Sequence, residues 1–197
     1  MPTKKVLASK PKYGQQMEDK INYYSQIGQD KIVLDLLKGK RDGTFLDIGC
    51  YLPTEISNTM CLETHFNWSG LALDIDCSFA DKWAARQRSK FICRDATTVD
   101  WVSLFEENGM ASTIDFLSLD LEPPTLAFDV LMKLPFDKYK FNVIAFEHDD
   151  YRGTNTKDRS RVYLTNLGYS LVCELNGIGV GGQDDIWIHS SLTGAAS

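Results

Sequence analysis

The chain has 197 residues, 43% hydrophobic and 24% charged, the balance of an ordinary globular protein long enough to bury a sizeable core. Its 21 basic and 27 acidic residues leave a net charge of −6, which argues against a broad phosphate-neutralising face and so against nucleic acid as a partner. No apolar run approaches the ~18 residues that span a bilayer, and basic residues 1–12 lack the apolar stretch of a secretory leader, so no membrane partner is expected.

The five cysteines, Cys50, Cys61, Cys77, Cys93 and Cys173, contain no CxxC pair. An odd set without that spacing reads as free thiols in a reducing compartment, and a cytoplasmic location follows as the expectation. Residues 1–22 are polar and lysine-rich and read as a flexible arm before one domain over 23–197. Over 23–38, Ile27, Ile32, Val33, Leu36 and Leu37 recur at helical spacing, with Ser25 as a cap. The first strand is read at 44–48, then a helix over 53–66 with Pro53 in its first turn, where the missing N–H costs nothing. A strand at 71–74, a helix at 79–88, a strand at 90–93 and a helix at 101–108 follow. The run 114–119 is almost continuously apolar, as in a strand covered on both faces. A helix at 125–134, a strand at 142–146 and a helix at 159–167 continue the alternation. Two strands, 169–175 and 185–189, close the chain around the glycine-rich connector 176–183. Strand and helix alternate five times before a hairpin. This predicts an α/β fold with a mostly parallel sheet, helices on both faces and one antiparallel strand from the C-terminal hairpin. Trp68, Trp83 and Trp101 read as core, and the basic groups at 38–41 and 86–90 as solvated turns.

In open α/β sheets ligands bind beyond the carboxyl ends of the strands. Those ends supply Asp47 and Gly49, then Asp74 and Asp76, then Asp95, then Asp120 and Glu122, then Glu147, His148, Asp149 and Asp150. The segment GTFLDIGCYLPTEISNT at 43–59 reads as strand, tight turn and helix start, the place for a nucleotide-like ligand. Gly49 admits a close backbone approach. Asp74 lies 25 residues past Gly49, near the spacing of an acid that accepts from ribose hydroxyls. Asp47 suits an ammonium group and Asp95 an adenine amino group. These jobs together suit S-adenosylmethionine. With the flanking Tyr51, Asn58, Ile75 and Ala96, and with Asp120, these acids make up the expected cofactor-binding set. The GxGxxG fingerprint of dinucleotide sites is absent, because Cys50-Tyr51-Leu52-Pro53 follows Gly49; the P-loop and the GxSxG elbow are absent too.

DIGCYLPTEISNT, with Trp68-Ser69-Gly70-Leu71 and Asp74 after it, resembles the FkbM-type methyltransferases, as do IDFLSLDLE at 114–122, VIAFEHD at 143–149 and YSQIGQD at 24–30. The resemblance runs over residues 23–189. It implies a Rossmann-like methyltransferase fold, S-adenosylmethionine as cofactor and methylation of a hydroxyl oxygen on a sugar or other small-molecule acceptor. The chain departs from many members at Tyr51-Leu52-Pro53 and at Pro123-Pro124, which motivates the alternative of a fold that binds cofactor without turnover. His148 is the expected general base, since imidazole titrates near neutrality, with Glu147 and Asp120 as its catalytic neighbours. Asp120, Glu147 and His148 also place two carboxylates and an imidazole at adjacent strand ends. This is similar to catechol-type O-methyltransferases, so magnesium or manganese is a further expectation.

Overall fold

The computed structural model describes residues 20–177 and 181–194. Most of the expected arm at 1–22 and the middle of the connector at 176–183 lie outside the described residues. Seven strands form one sheet: β1 (Thr44–Ile48), β2 (Ser69–Asp74), β3 (Ser89–Cys93), β4 (Thr113–Leu119), β5 (Lys140–Glu147), β6 (Tyr169–Asn176) and β7 (Gly182–His189). Their order is β3-β2-β1-β4-β5-β7-β6. The first five pair in parallel, and β7 runs antiparallel between β5 and β6. The hairpin thus supplies the one antiparallel strand expected of it.

Alternation along each strand sorts the two faces. Leu46, Ile48, Leu71, Leu73, Leu117, Leu119, Ile144 and Phe146 pack on one face with α4 (Trp101–Glu107), α5 (Pro124–Lys133) and α6 (Thr156–Asn166). Phe45, Phe116, Val143 and Ala145 pack on the other with α1 (Gln29–Leu36) and α2 (Met60–Phe66), and Ala72 meets Trp83 of α3 (Ala80–Trp83) there. Trp68, Trp83 and Trp101 are all core residues, as read.

Three helices are shorter than the apolar spacing suggests, because side chains take the backbone elsewhere. Before α1, residues 24–28 wrap the buried Asp30 carboxylate. It accepts from the Tyr24 N–H at 2.7 Å and the Ser25 hydroxyl at 2.5 Å. Residues 53–59 form an irregular loop. Arg86, expected in a solvated turn, is buried and donates to Pro53 O at 2.8 Å and Thr59 O at 3.2 Å, while its Nε pairs with Glu63 at 2.7 Å. The same inward turn of Arg86 ends α3 early. The thiol expectation is also corrected: Cys77 and Cys93 form a disulfide, and Cys50, Cys61 and Cys173 are free. Parallel pairing of Asp74 with Cys93 brings the turn after β2 beside the end of β3. The two cysteine Cα atoms then lie 5.1 Å apart, within bridging range. No helix among the described residues is long and apolar enough to cross a membrane.

Candidate active site

Strand order reverses between β1 and β4: from β1 the chain moves outward to β2 and β3, then returns to β4 on the other side. A crevice opens beyond the carboxyl ends at such a point. Here Asp47, Gly49, Cys50, Tyr51, Ile56, Asn58, Ser118 and Asp120 line it.

Asp47 projects from β1 onto the face of α2 and is buried. Its Oδ2 accepts from the Thr59 hydroxyl at 2.9 Å, and burial pushes its pKa up to about 6. Asn58 donates to Ser118 Oγ at 3.0 Å, and its Oδ1 meets no donor. Gly49 has φ of +80°, and a Cβ there would fall on the Asp120 carbonyl oxygen. Its lack of a side chain is needed by the approach of β4's end rather than by a ligand. Asp74 accepts the Tyr51 N–H on Oδ2 and the Asp76 N–H on Oδ1, both at 2.9 Å, so it fixes both loops at the crevice rim. Tyr51 and Ile75 are exposed on that rim, and Tyr51 meets Phe79 edge-on with centroids 5.0 Å apart. Trp83 supports the Tyr51 backbone by donating to its carbonyl at 2.8 Å.

Asp95 caps the short 3-10 turn 96–98 through Oδ1, which accepts the Thr97 N–H and hydroxyl. Those bonds hold its carboxyl below the usual range. The other oxygen, Oδ2, carries no hydrogen bond among the described residues. Ala96 is buried in the core beneath.

Beyond Asp120 the acids crowd. Glu147 is buried at the end of β5. Its Oε1 accepts from Gln183 at 3.3 Å and its Oε2 has no donor among the described residues. Burial pushes Glu147 up to about 10 and Asp120 up to about 6. Two carboxyls side by side meet only through a proton, which the pair shares. In register with Glu147, Asp184 of β7 is also pushed up to about 6 by burial; its Oδ2 accepts from Gln29 of α1 at 2.9 Å and its Oδ1 has no donor among the described residues.

His148 faces away from this group. Its ring is 0% exposed, Nδ1 accepts the Asp150 N–H at 3.2 Å, and Nε2 lies 3.5 Å from Asp185. Asp185 is in turn held by Arg161 of α6 at 2.7 Å, which keeps its carboxyl low despite burial. A general base must reach the proton it removes, and no edge of this ring opens on the crevice. The expected metal set is corrected likewise. Among the described residues, the group whose ligand atoms come together is Glu122, Glu147 and Asp149, without Asp120 or His148. Sequence reading named Asp149 and Glu122 among the strand-end acids but left them out of the expected metal set, and it read Arg86 as part of a solvated turn. The signal for the first two was present: Asp120-x-Glu122 and Glu147-x-Asp149 repeat one spacing at two strand ends.

No protein-family model matches the chain, and no curated protein matches it in sequence. Solved structures do. An S-adenosylmethionine-dependent O-methyltransferase from Thermotoga maritima aligns over 88% of this chain and 68% of its own, at 14% identity and a TM-score of 0.56. The methyltransferase domain of METTL16 aligns over 81% and 65%, at 14% identity and 0.56. Fibrillarin from Aeropyrum pernix, with natively bound S-adenosyl-L-methionine, aligns over 80% and 74%, at 14% identity and 0.50. The fold is the Rossmann-like fold of S-adenosylmethionine-dependent methyltransferases.

Proposed function

We propose that this chain is an S-adenosylmethionine-dependent methyltransferase of FkbM type that methylates a hydroxyl oxygen of a neutral, small-molecule acceptor, a sugar being the favoured class. The observation that carries the reading is the polarity of the crevice at the β1/β4 reversal. Asp47, Asn58 and Asp120 line it; among the described residues Asn58 Oδ1 has no donor, and past Asp120 the buried Glu147 Oε2 and Asp184 Oδ1 have none either. A ligand that satisfies such a site brings donors and positive charge. S-adenosylmethionine, with its ammonium, sulfonium and ribose hydroxyls, fits it; a pyrophosphate-bearing dinucleotide does not.

The residue roles follow from placement. Asp74 is anchored by two backbone N–H groups and keeps lone pairs for ribose hydroxyls. Exposed Ile75 and Tyr51 offer apolar and aromatic surface to a base, with Asp95 Oδ2 beyond them. When bound, the cofactor supplies an electrophilic methyl group. The chain must align the acceptor oxygen and accept its proton. Asp120 is the carboxyl group that lines the crevice and the one placed to take that proton, and His148 is a positioning residue that ties β5 to Asp185. An acidic rim repels phosphate and favours uncharged polyols, which supports the sugar assignment.

Calorimetric titration of S-adenosylmethionine into the protein, beside Asp74→Ala, tests the reading. Micromolar binding lost in the variant, together with labelled-methyl transfer to a carbohydrate extract, is the expected result. Binding without transfer to any acceptor would favour the non-catalytic alternative. Absence of binding would sink both.

A further inference from the structure

The carboxylates past Asp120 do something that the placement of a methyl donor does not require. Glu122 follows β4, Glu147 ends β5 and Asp149 lies just beyond. Each offers an oxygen, and these oxygens lie within 4.8 Å of one another. Glu147 and Asp149 are only 6% and 1% exposed, and Glu147 Oε2 and Asp149 Oδ1 find no donor among the described residues. Carboxylate oxygens buried without partners are costly, and a cation among them removes the cost, displacing to solvent the proton that Glu147 otherwise shares with Asp120. Among the described residues the cation paired with this cluster is Arg152. Its Nη1 and Nη2 each bond a Glu122 oxygen at 2.6 Å, and its Nε lies 2.9 Å from Asp149 Oδ2. The planar guanidinium is thereby spent on the outer side of the cluster. It leaves Glu147 Oε2 and Asp149 Oδ1 unmet.

We propose that Glu122, Glu147 and Asp149 are the ligands of a divalent cation, and that Arg152 competes with that ion for Glu122 and Asp149. The donor set is all carboxylate oxygen, without thiolate or imidazole. That chemistry selects magnesium, calcium or manganese over zinc or copper. A small ion can sit among three converging oxygens, where a planar fork engages only the outer ones. Three protein ligands leave coordination positions for water. The ion site stands on these residues alone and does not rest on the methyl-transfer reading.

The test is a titration of Mn2+ into the full chain, without S-adenosylmethionine. Free ion is counted by its electron paramagnetic resonance signal, and Mg2+ serves as competitor. One Mn2+ per chain, displaced by Mg2+, is expected. Glu122→Gln and Asp149→Asn should each weaken binding by about tenfold or more. Asn suits position 149, whose φ of +43° lies in the left-handed region, and circular dichroism checks that each variant folds. Arg152→Gln should tighten binding, the opposite of what loss of a merely structural residue would do. Binding no tighter than about 1 mM, or affinity unchanged in both carboxylate variants, overturns the site. Weaker or unchanged binding in Arg152→Gln overturns the competition. Because no cofactor is present, a negative result here is separate from failure of the methyltransferase reading.

Discussion

Gly49 shows how a residue can be read correctly for a different physical reason. The Asp-Ile-Gly turn predicts that no side chain fits there, and none does, yet the space is filled by the Asp120 carbonyl rather than left for a ligand. Gly49→Ala must therefore both move the end of β4 and hold a Cβ at φ of +80°. We expect a loss of about 3 kcal/mol or more, since a left-handed backbone and a backbone clash each cost ~1–3 kcal/mol. Urea unfolding measures it, and a loss under ~1 kcal/mol, the scale of an ordinary substitution, would mean the two strand ends separate easily. His148 is the converse case. Its residue type and position at a strand end pointed to a base, but the alternation that turns Glu147 toward Asp120 turns His148 toward Asp185. Period-two geometry decides between neighbours where composition does not.

At the scale of elements, the strands were legible because long apolar runs leave few alternatives. The helices α2 and α3 were not, because their limits depend on Arg86. This side chain joins the 53–59 loop, α2 through Glu63, and β3 through Ser89, and its guanidinium lies 5.0 Å over the Trp83 ring. It is buried with its carboxylate partner, and Glu63 is held below the usual range by bonds from Ser89 and Arg86 that outweigh its burial. Removing one member of a buried pair strands the other. Arg86→Ala should thus cost about 3–5 kcal/mol and loosen the loop that carries Asn58 and Thr59 to the crevice. Hydrogen exchange should show faster exchange over 53–59. If those amides keep their protection, the loop is held by Asp47 and Ser118 instead. The disulfide was illegible for a related reason: a separation of 16 residues becomes a bond only once β2 and β3 pair in parallel.

For the molecule as a whole, topology does the assembling. The order of strands could not be read from alternation alone, yet it is what places Asp47, Asp120, Glu147 and Asp184 along one edge of the sheet. The acids were visible in sequence, with Asp120 and Glu147 read at adjacent strand ends, and their burial was not. Crowding has a consequence for stability. Burial raises Glu147 from its ordinary 4.5 to about 10, and Asp47, Asp120 and Asp184 from 3.8 to about 6. A raised acid binds its proton more tightly in the folded chain than in the unfolded one. Its contribution is complete below the unfolded pKa and is lost as pH rises through the folded value. The three aspartates give up their share between about pH 4 and 6, and Glu147 gives up its share from about pH 4.5 toward 10, at up to about 1.4 kcal/mol per pH unit. In chelator-treated buffer the melting temperature should therefore fall steadily from mildly acidic pH to pH 9. Glu147→Gln keeps the shape of a neutral carboxyl without its proton equilibrium, so it should flatten that decline above pH 7. A variant that melts with the same pH profile as the parent would show that Glu147 is ionised in the folded chain, and the proton would then have to be struck from the Asp120 pair.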